Sequence, residues 1–444
     1  MSGLPDAVCW HEGMQLLPQH FQLQSLRAEA FSAHLASAGN PRFWGVSELD
    51  VDAMALSAGR IRILSLKAIL PDGLPVELTA GVDAPLELDV APAIGRAADA
   101  MVTVCLAVNP LWRGGRIVPL SGRLRSVIGE ALPDLASGEY PEPITVWRPN
   151  LRLITEEQKA DAICLPVLRI GKEGGGYIRL PYTCPVSRVL PESALGLKVM
   201  ALCARAREKC VFLAGRLRHA QQAGHDDDID EIRRQLTALW ARLPEVEAAL
   251  NSRTSSPDTL YGLLTGMAGS WCALDPVSGV PPFPGLDYLD LQKGYDQVLG
   301  WLSTTLEVIR AGYRSLPFDQ EGQSFSIRLP DTEQRVQRLV IGLRMPGGSH
   351  EQAASEWLAR AIIASSPCIP TLVRQRMSGL PHQAMSRQEQ VAYGVGDDTR
   401  MFVVQASGQW FDPAQALRVV APGHGPGSGP WQVVLFVANE DDVA

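Results

Sequence analysis

Few side chains in this sequence are spaced to do chemistry. His11-Glu12 and His350-Glu351 each begin an HExxH pattern, but the fifth positions are Gln15 and Ala354. A helical zinc site needs two imidazoles one turn apart, so neither motif is complete. Cys9, Cys105, Cys164, Cys184, Cys203, Cys210, Cys272 and Cys368 form no CxxC pair and have no histidine at ligand spacing, so they read as reduced core residues. Asp226-Asp227-Asp228 lacks the downstream glutamate of a calcium loop and reads as a helix start, where carboxylates meet the positive end of the dipole. Gly174-Gly175-Gly176 is followed by no GK[ST] and reads as a hairpin loop rather than a phosphate cradle. No serine stands in G-x-S-x-G. The expectation is a binding or structural protein, not an enzyme, with no cofactor and no metal.

The composition agrees with an ordinary globular chain. It has 444 residues, 46% hydrophobic and 20% charged, enough for about three domains of roughly 150 residues. A formal charge of −8 with no Lys/Arg cluster argues against nucleic acid. The longest apolar run, Trp431 to Ala438, is far short of the roughly 20 residues that span a bilayer, and no basic-then-apolar leader opens the chain. A cytoplasmic protein that reaches a membrane only through partners is expected.

The elements that would position binding residues fall into three regions. Residues 1–185 read mostly as strands, as in Ile61–Leu66, Met101–Val108 and Cys164–Ile170, with turns such as Pro71-Asp72-Gly73 between them. This predicts a β-sandwich. Residues 186–314 read as a helical bundle. Ile229, Ile232, Leu236, Leu239, Leu243, Val246 and Leu250 recur at 3-4 spacing and form its predicted core or oligomer seam, with Pro244 breaking that helix. Leu195 to Leu217 form an earlier stripe in which Lys209 takes an apolar position. Leu260 to Leu274 and Leu291 to Ile309 continue the bundle after it. Residues 315–444 read as an α+β domain, with strands at Phe325–Leu329, Leu339–Leu343, Met401–Gln405 and Gln432–Val437, a helix over His350–Ser365, and a loop over Pro422–Pro430.

The run Val8-Cys9-Trp10-His11-Glu12-Gly13-Met14-Gln15-Leu16-Leu17-Pro18-Gln19-His20-Phe21-Gln22 closely resembles the opening of the TssK family, baseplate subunits of bacterial type VI secretion systems. Ile178 to Cys184, Leu243 to Glu247, Pro257 to Tyr261 and Ser378 to Pro381 resemble later family segments. Met401-Phe402 stands where the family has Tyr-Phe, so head contacts do not transfer residue by residue. The resemblance implies a multidomain α+β chain. Its parts would be a β-sandwich shell like the shoulder of phage receptor-binding proteins, a helical neck and an α+β head, assembled as a homotrimer. It also implies that the shell joins TssF and TssG while the head meets cytoplasmic parts of TssL and TssM at the inner membrane, without catalysis. Trp10, His11, Glu12, Gly13, Met14, Gln19, His20 and Phe21 are then candidate partner-binding residues. The alternative for the same stretch is internal packing around Trp10, Met14 and Phe21. A phage or prophage tail adaptor is the competing class, and a metalloenzyme a third.

Overall fold

The computed structural model describes residues 3–79, 81, 83, 85–223, 226–309, 313–322, 324–330, 337–346, 352–386, 389–390, 393, 399–421 and 429–438. Its packing divides the chain into two compact units, one of residues 1–189, 255–259 and 284–296, the other of 190–254, 260–283 and 297–444. Strands and helices are distributed over both, so the chain is a multidomain α+β protein.

The first unit opens with helix α1 (Pro18–Gly39), which the strand-dominated reading of residues 1–185 missed. Short helices α2 (Ala53–Ser57) and α3 (Ala91–Arg96) accompany the strands. One antiparallel sheet is built from β1 (Gly45–Val51), β2 (Arg60–Ile69), β3 (Pro75–Thr79) and β4 (Leu86–Asp89), ordered β1-β2-β3 with β4 also on β2. A second contains β5 (Met101–Val108), β10 (Arg152–Thr155), β11 (Ile163–Glu173) and β12 (Gly176–Arg179), ordered β10-β5-β11-β12. Two ribbons lie outside these sheets, β6 (Trp112–Arg113) with β7 (Arg116–Ile117), and β8 (Leu124–Leu132) with β9 (Glu142–Pro149). Alternate residues of both sheets enter one apolar cluster, including Ile61, Ile63 and Leu66 from β2 and Val104, Leu106 and Leu165 from β5 and β11. β2 shows the period-2 burial of a strand covered mainly on one face, whereas β5 and β11 are covered on both faces and are legible as apolar, β-branched runs between turns. The Tyr288 hydroxyl lies 2.5 Å from the Trp44 carbonyl and 2.9 Å from those of Arg42 and Val186, which fastens residues 284–296 into this unit.

In the second unit the helices are α4 (Ala194–Ala223), α5 (Asp226–Trp240), α6 (Leu243–Asn251) and the greater part of α7 (Pro257–Trp271) and α8 (Leu291–Leu306). Pro244 occupies the first turn of α6, where its missing N–H costs nothing, so the chain restarts there as two helices. Leu239, Leu243 and Val246 are fully buried, Ile229, Ile232 and Leu250 nearly so, and Leu236 half-buried. All of this burial is supplied within one chain. The predicted cap, Asp226 to Asp228, does begin α5, but its side chains lie outside the described residues. Lys209 neither reaches solvent nor joins the stripe. Its ammonium donates to the Ile309 carbonyl at 2.5 Å, and burial pulls its pKa down.

The same unit holds β13 (Tyr313–Pro317), β14 (Asp319–Glu321), β15 (Ser324–Ile327), β16 (Arg338–Arg344), α9 (Ala353–Arg360), β17 (Ile362–Ser365), α10 (Ile369–Gln375), β18 (His382–Ala384), β19 (Thr399–Gln405), β20 (Leu417–Val420) and β21 (Gln432–Ala438). They form two antiparallel sheets, β13-β21-β16-β19-β18 and β14-β15-β20-β17. Leu339, Ile341, Leu343 and Leu435 of one meet Phe325, Leu417 and Val419 of the other in a single cluster with Trp357. The predicted helix His350–Ser365 is corrected here. Its first two residues lie outside the described residues, α9 ends at Arg360, and the β-branched pair Ile362-Ile363 turns extended. Consecutive burial of Ile362, Ile363 and Ala364 suits a strand covered on both faces. Most of the predicted loop Pro422–Pro430 lies outside the described residues.

Candidate functional site

Residues 3–17 run without regular secondary structure apart from a turn at Glu12-Gly13, where the Met14 N–H donates to the His11 carbonyl at 3.3 Å and Gly13 takes φ +78°. Only glycine adopts that conformation without strain. Pro18 at the first helical position, with φ preset, then starts α1. His20 closes this end twice. Its N–H donates to the Leu17 carbonyl at 3.1 Å, and its Nδ1 accepts the Leu17 N–H at 3.2 Å.

This capped end carries an aromatic group. The Trp10 ring stands edge-on to His20 with centroids 5.8 Å apart and lies 6.2 Å from Phe21. Trp10 is nevertheless 47% exposed and Phe21 54% exposed. Of the sequence-predicted residues, His11, Glu12, Gly13 and Gln19 are also exposed, while Met14 and His20 are half-buried. Neither Trp10 nor Phe21 is enclosed in a core of its own chain, although the two rings and His20 pack on one another. The His11 ring lies 3.0 Å from the carbonyl of its neighbour Glu12. The seven apolar positions from Ile229 to Leu250 belong to the other compact unit.

The group is held on a firm base. Pro5 is buried, its carbonyl accepts from the Arg27 guanidinium, and a side chain at Gly3 would meet the Trp112 ring at 3.3 Å. Further along α1, Ala33 comes so close to Gly73 that a Cβ there would stand 2.4 Å from the Ala33 methyl. Gly73, at φ +89°, belongs to the turn between β2 and β3, which Arg123 braces through a 2.7 Å ion pair with Asp72. The arrangement suits recognition: exposed aromatics on a fixed backbone lose little conformational entropy on binding and are the residue types enriched at interface hot spots.

Sequence reasoning missed the helix that carries these residues. Leu23, Leu26, Ala30, Ala33 and Ser37 are half-buried at 3-4 spacing, and Phe21, Gln24, Ala28, Phe31 and Leu35 are exposed at the same spacing on the opposite side. Two stripes cancel each other's periodic signal. Pro18 followed by a run rich in Gln, Leu and Ala, ending at Gly39-Asn40, was the local signal available. The predicted core cysteines also need correction, since Cys9 is exposed and Cys164, Cys272 and Cys368 are only half-buried. Among the described residues no His/Cys/Asp/Glu group could hold a metal ion, and no helix is long and apolar enough to cross a membrane.

Comparison with known proteins is consistent with this picture. A family profile described as bacterial type VI secretion, with EvfL, ImpJ and VasE as members, matches residues 20–420. The type VI secretion system baseplate component TssK1 of Pseudomonas aeruginosa is 26% identical over 426 residues, 91% of this chain and 93% of that protein. A crystal structure of TssK superposes with a TM-score of 0.63 at 19% identity, over 98% of this chain and all of that one. A chain of the TssK–TssF–TssG baseplate subcomplex, solved by cryo-electron microscopy, gives a TM-score of 0.56 at 22% identity over 68% of this chain and 99% of its own. A profile match spanning most of the chain, with a relative aligned nearly end to end, makes this chain a member of the TssK family of type VI secretion system baseplate subunits.

Proposed function

We propose that this chain is a trimeric adaptor in a type VI secretion baseplate, docking TssF and TssG through its N-terminal unit and cytoplasmic parts of TssL and TssM through its C-terminal region, at the cytoplasmic face of the inner membrane. In this reading residues 1–185 are a shoulder-like sandwich shell, 186–314 a neck and 315–444 a head, and no catalysis is involved. The observation that carries the baseplate role is the exposed Trp10–His20–Phe21 group on its braced arm. Related chains occur in a TssK–TssF–TssG complex, which supports the choice of partners. On the head, the C-terminal end of α10 and the residues just beyond it offer Val373 and Met377, both over 40% exposed, beside Arg374 and Arg376.

The test is co-purification of TssF and TssG with the Trp10→Ala/Phe21→Ala variant. Both side chains are largely in solvent, so the fold should survive, as circular dichroism would show. Loss of at least about tenfold in affinity is expected, because hot-spot aromatics contribute 2 kcal/mol or more each. Undiminished binding would remove the docking role from this segment.

A further inference from the structure

We propose that the cleft between the free edge of β3 and the root of the β8–β9 ribbon binds an extended segment of another protein, through an aspartate or glutamate which that segment carries. Such a site is additional to the baseplate contacts above and does not depend on them. The cleft has a volume of about 390 Å³, within the usual range of ligand pockets. Pro85, Pro149 and Leu151 are among its apolar walls, and Arg125 and Arg148 bring positive charge. The register of the ribbon sets these two arginines directly opposite one another, so both side chains stand on the same face. Like charges in that position repel. Asp83 answers one of them, at 2.5 Å from Arg148. Among the described residues no ion pair or side-chain hydrogen bond engages Arg125, although it is half-buried. The other carboxylate at the cleft, that of Glu77, lies 3.5 Å from Lys67 of β2. Two guanidiniums thus share Asp83, and the cleft is complementary in charge to an incoming carboxylate.

The edge of β3 determines what kind of molecule brings that carboxylate. β3 has a strand, β2, on one side only. Counting from the Leu70 N–H, which donates to the Leu74 carbonyl at 2.9 Å, the pairing with β2 turns the backbone groups of Pro75, Glu77 and Thr79 outward. Pro75 has no N–H to offer. Thr79 gives both of its groups to Asp83, its N–H donating to Oδ2 at 3.0 Å and its carbonyl accepting the Asp83 N–H at 3.0 Å. The N–H and carbonyl of Glu77 have no partner among the described residues. One outward donor and one outward acceptor on a strand edge match the two backbone groups of a residue in an added strand. A free phosphate or a small carboxylic acid would meet Arg125 and leave this edge unpaired. The walls are also fixed in advance. The Asn150 N–H donates to the Arg123 carbonyl at 2.8 Å, and Arg123 is ion-paired with Asp72 of the β2–β3 turn, so the ribbon root and the β3 edge are tied together and little ordering is left for binding.

The experiment uses the full chain and, as probe, a phage-displayed library of random decapeptides. Selection on the unmodified chain should enrich an aspartate or glutamate among alternating β-branched residues. The most enriched peptide, made with blocked ends, should lose about tenfold or more in affinity when its acid is replaced by the amide, and as much when the chain carries Arg125→Gln, as fluorescence polarisation would measure. The two losses should not add, because they remove the same contact. Arg125→Gln should leave the melting temperature unchanged or raise it, since it relieves the repulsion across the ribbon. Selection that enriches no acid, or peptides that bind Arg125→Gln as tightly as the unmodified chain, would overturn the proposal. A melting temperature lowered by Arg125→Gln would make Arg125 a structural brace, and a fall in mass by light scattering would hand the cleft to a second copy of the chain; either result would overturn it as well.

Discussion

Arg344 is only 1% exposed, and its charge is answered by a carboxylate from a distant stretch of sequence. Its Nη2 donates to Glu208 Oε1 of α4 at 2.5 Å, its Nη1 to Gln432 Oε1, and its guanidinium faces the Trp431 ring at 5.9 Å. The Ser315 hydroxyl donates to the other Glu208 oxygen at 3.4 Å. Removing one partner strands a buried charge, so Arg344→Met should destabilise by about 3–5 kcal/mol, whereas Arg344→Met/Glu208→Leu should recover most of that loss. Chemical denaturation of the two variants measures the difference. If the single and double variants were equally unstable, the pair would not be coupled.

Cysteines make the second residue-scale case. Burial pushes the Cys105 and Cys210 thiols up to about 12 and Cys184 to about 11, from an ordinary value near 9. Because the unfolded chain releases these protons first, the stability they protect is complete below pH 9 and declines as pH rises toward 12. At pH 8 a maleimide should modify exposed Cys9 rapidly and leave Cys105 and Cys210 untouched until the chain unfolds, as mass spectrometry of digests would show.

Elements differ in how much of their sequence pattern their own chain consumes. Leu239 is fully buried, so Leu239→Ala should cost about 2–5 kcal/mol. The β8–β9 ribbon is the opposite case, with Ile128 80% exposed, Leu135 93% and Trp147 48%. Ile128→Ser should change the stability of the unbound chain by no more than about 0.5 kcal/mol, since no packing is lost. Thermal melts of both variants test this contrast. The two 3-4 stripes of α1 are intermediate: one lies on the chain and the other remains free. The α5–α6 pattern, by contrast, has one stripe, and that stripe is largely buried.

At the scale of the whole molecule, the proposed division of partners is testable without cutting the chain. Val373→Asp/Met377→Asp, at and just beyond the C-terminal end of α10, should abolish capture of the cytoplasmic TssL and TssM domains and leave TssF and TssG bound, while Trp10→Ala/Phe21→Ala should show the reverse. Pull-downs with both partner sets check this, and either variant losing both sets would remove the division. Truncation is the poorer test, because residues 190–254 share one compact unit with residues 297–444 and the Arg344–Glu208 pair ties them.

The sequence by itself determined the family, through the unbroken run from Val8 to Gln22. It also determined most strands and helices, because the short apolar and β-branched run Met101–Val108 between turn residues and the 3-4 recurrence from Ile229 to Leu250 are local signals. Tertiary structure alone decided what had no such local signal. It made α1 a helix with two opposed stripes, turned Ile362–Ser365 into a strand by covering both its faces, and gave Lys209 the end of α8 to cap. It also decided exposure, leaving Trp10 and Phe21 in solvent while Leu239 and Val246 were covered by their own chain. Spacing states which residues share a face, but whether that face is covered depends on segments far away in sequence, and only the folded chain brings those segments together.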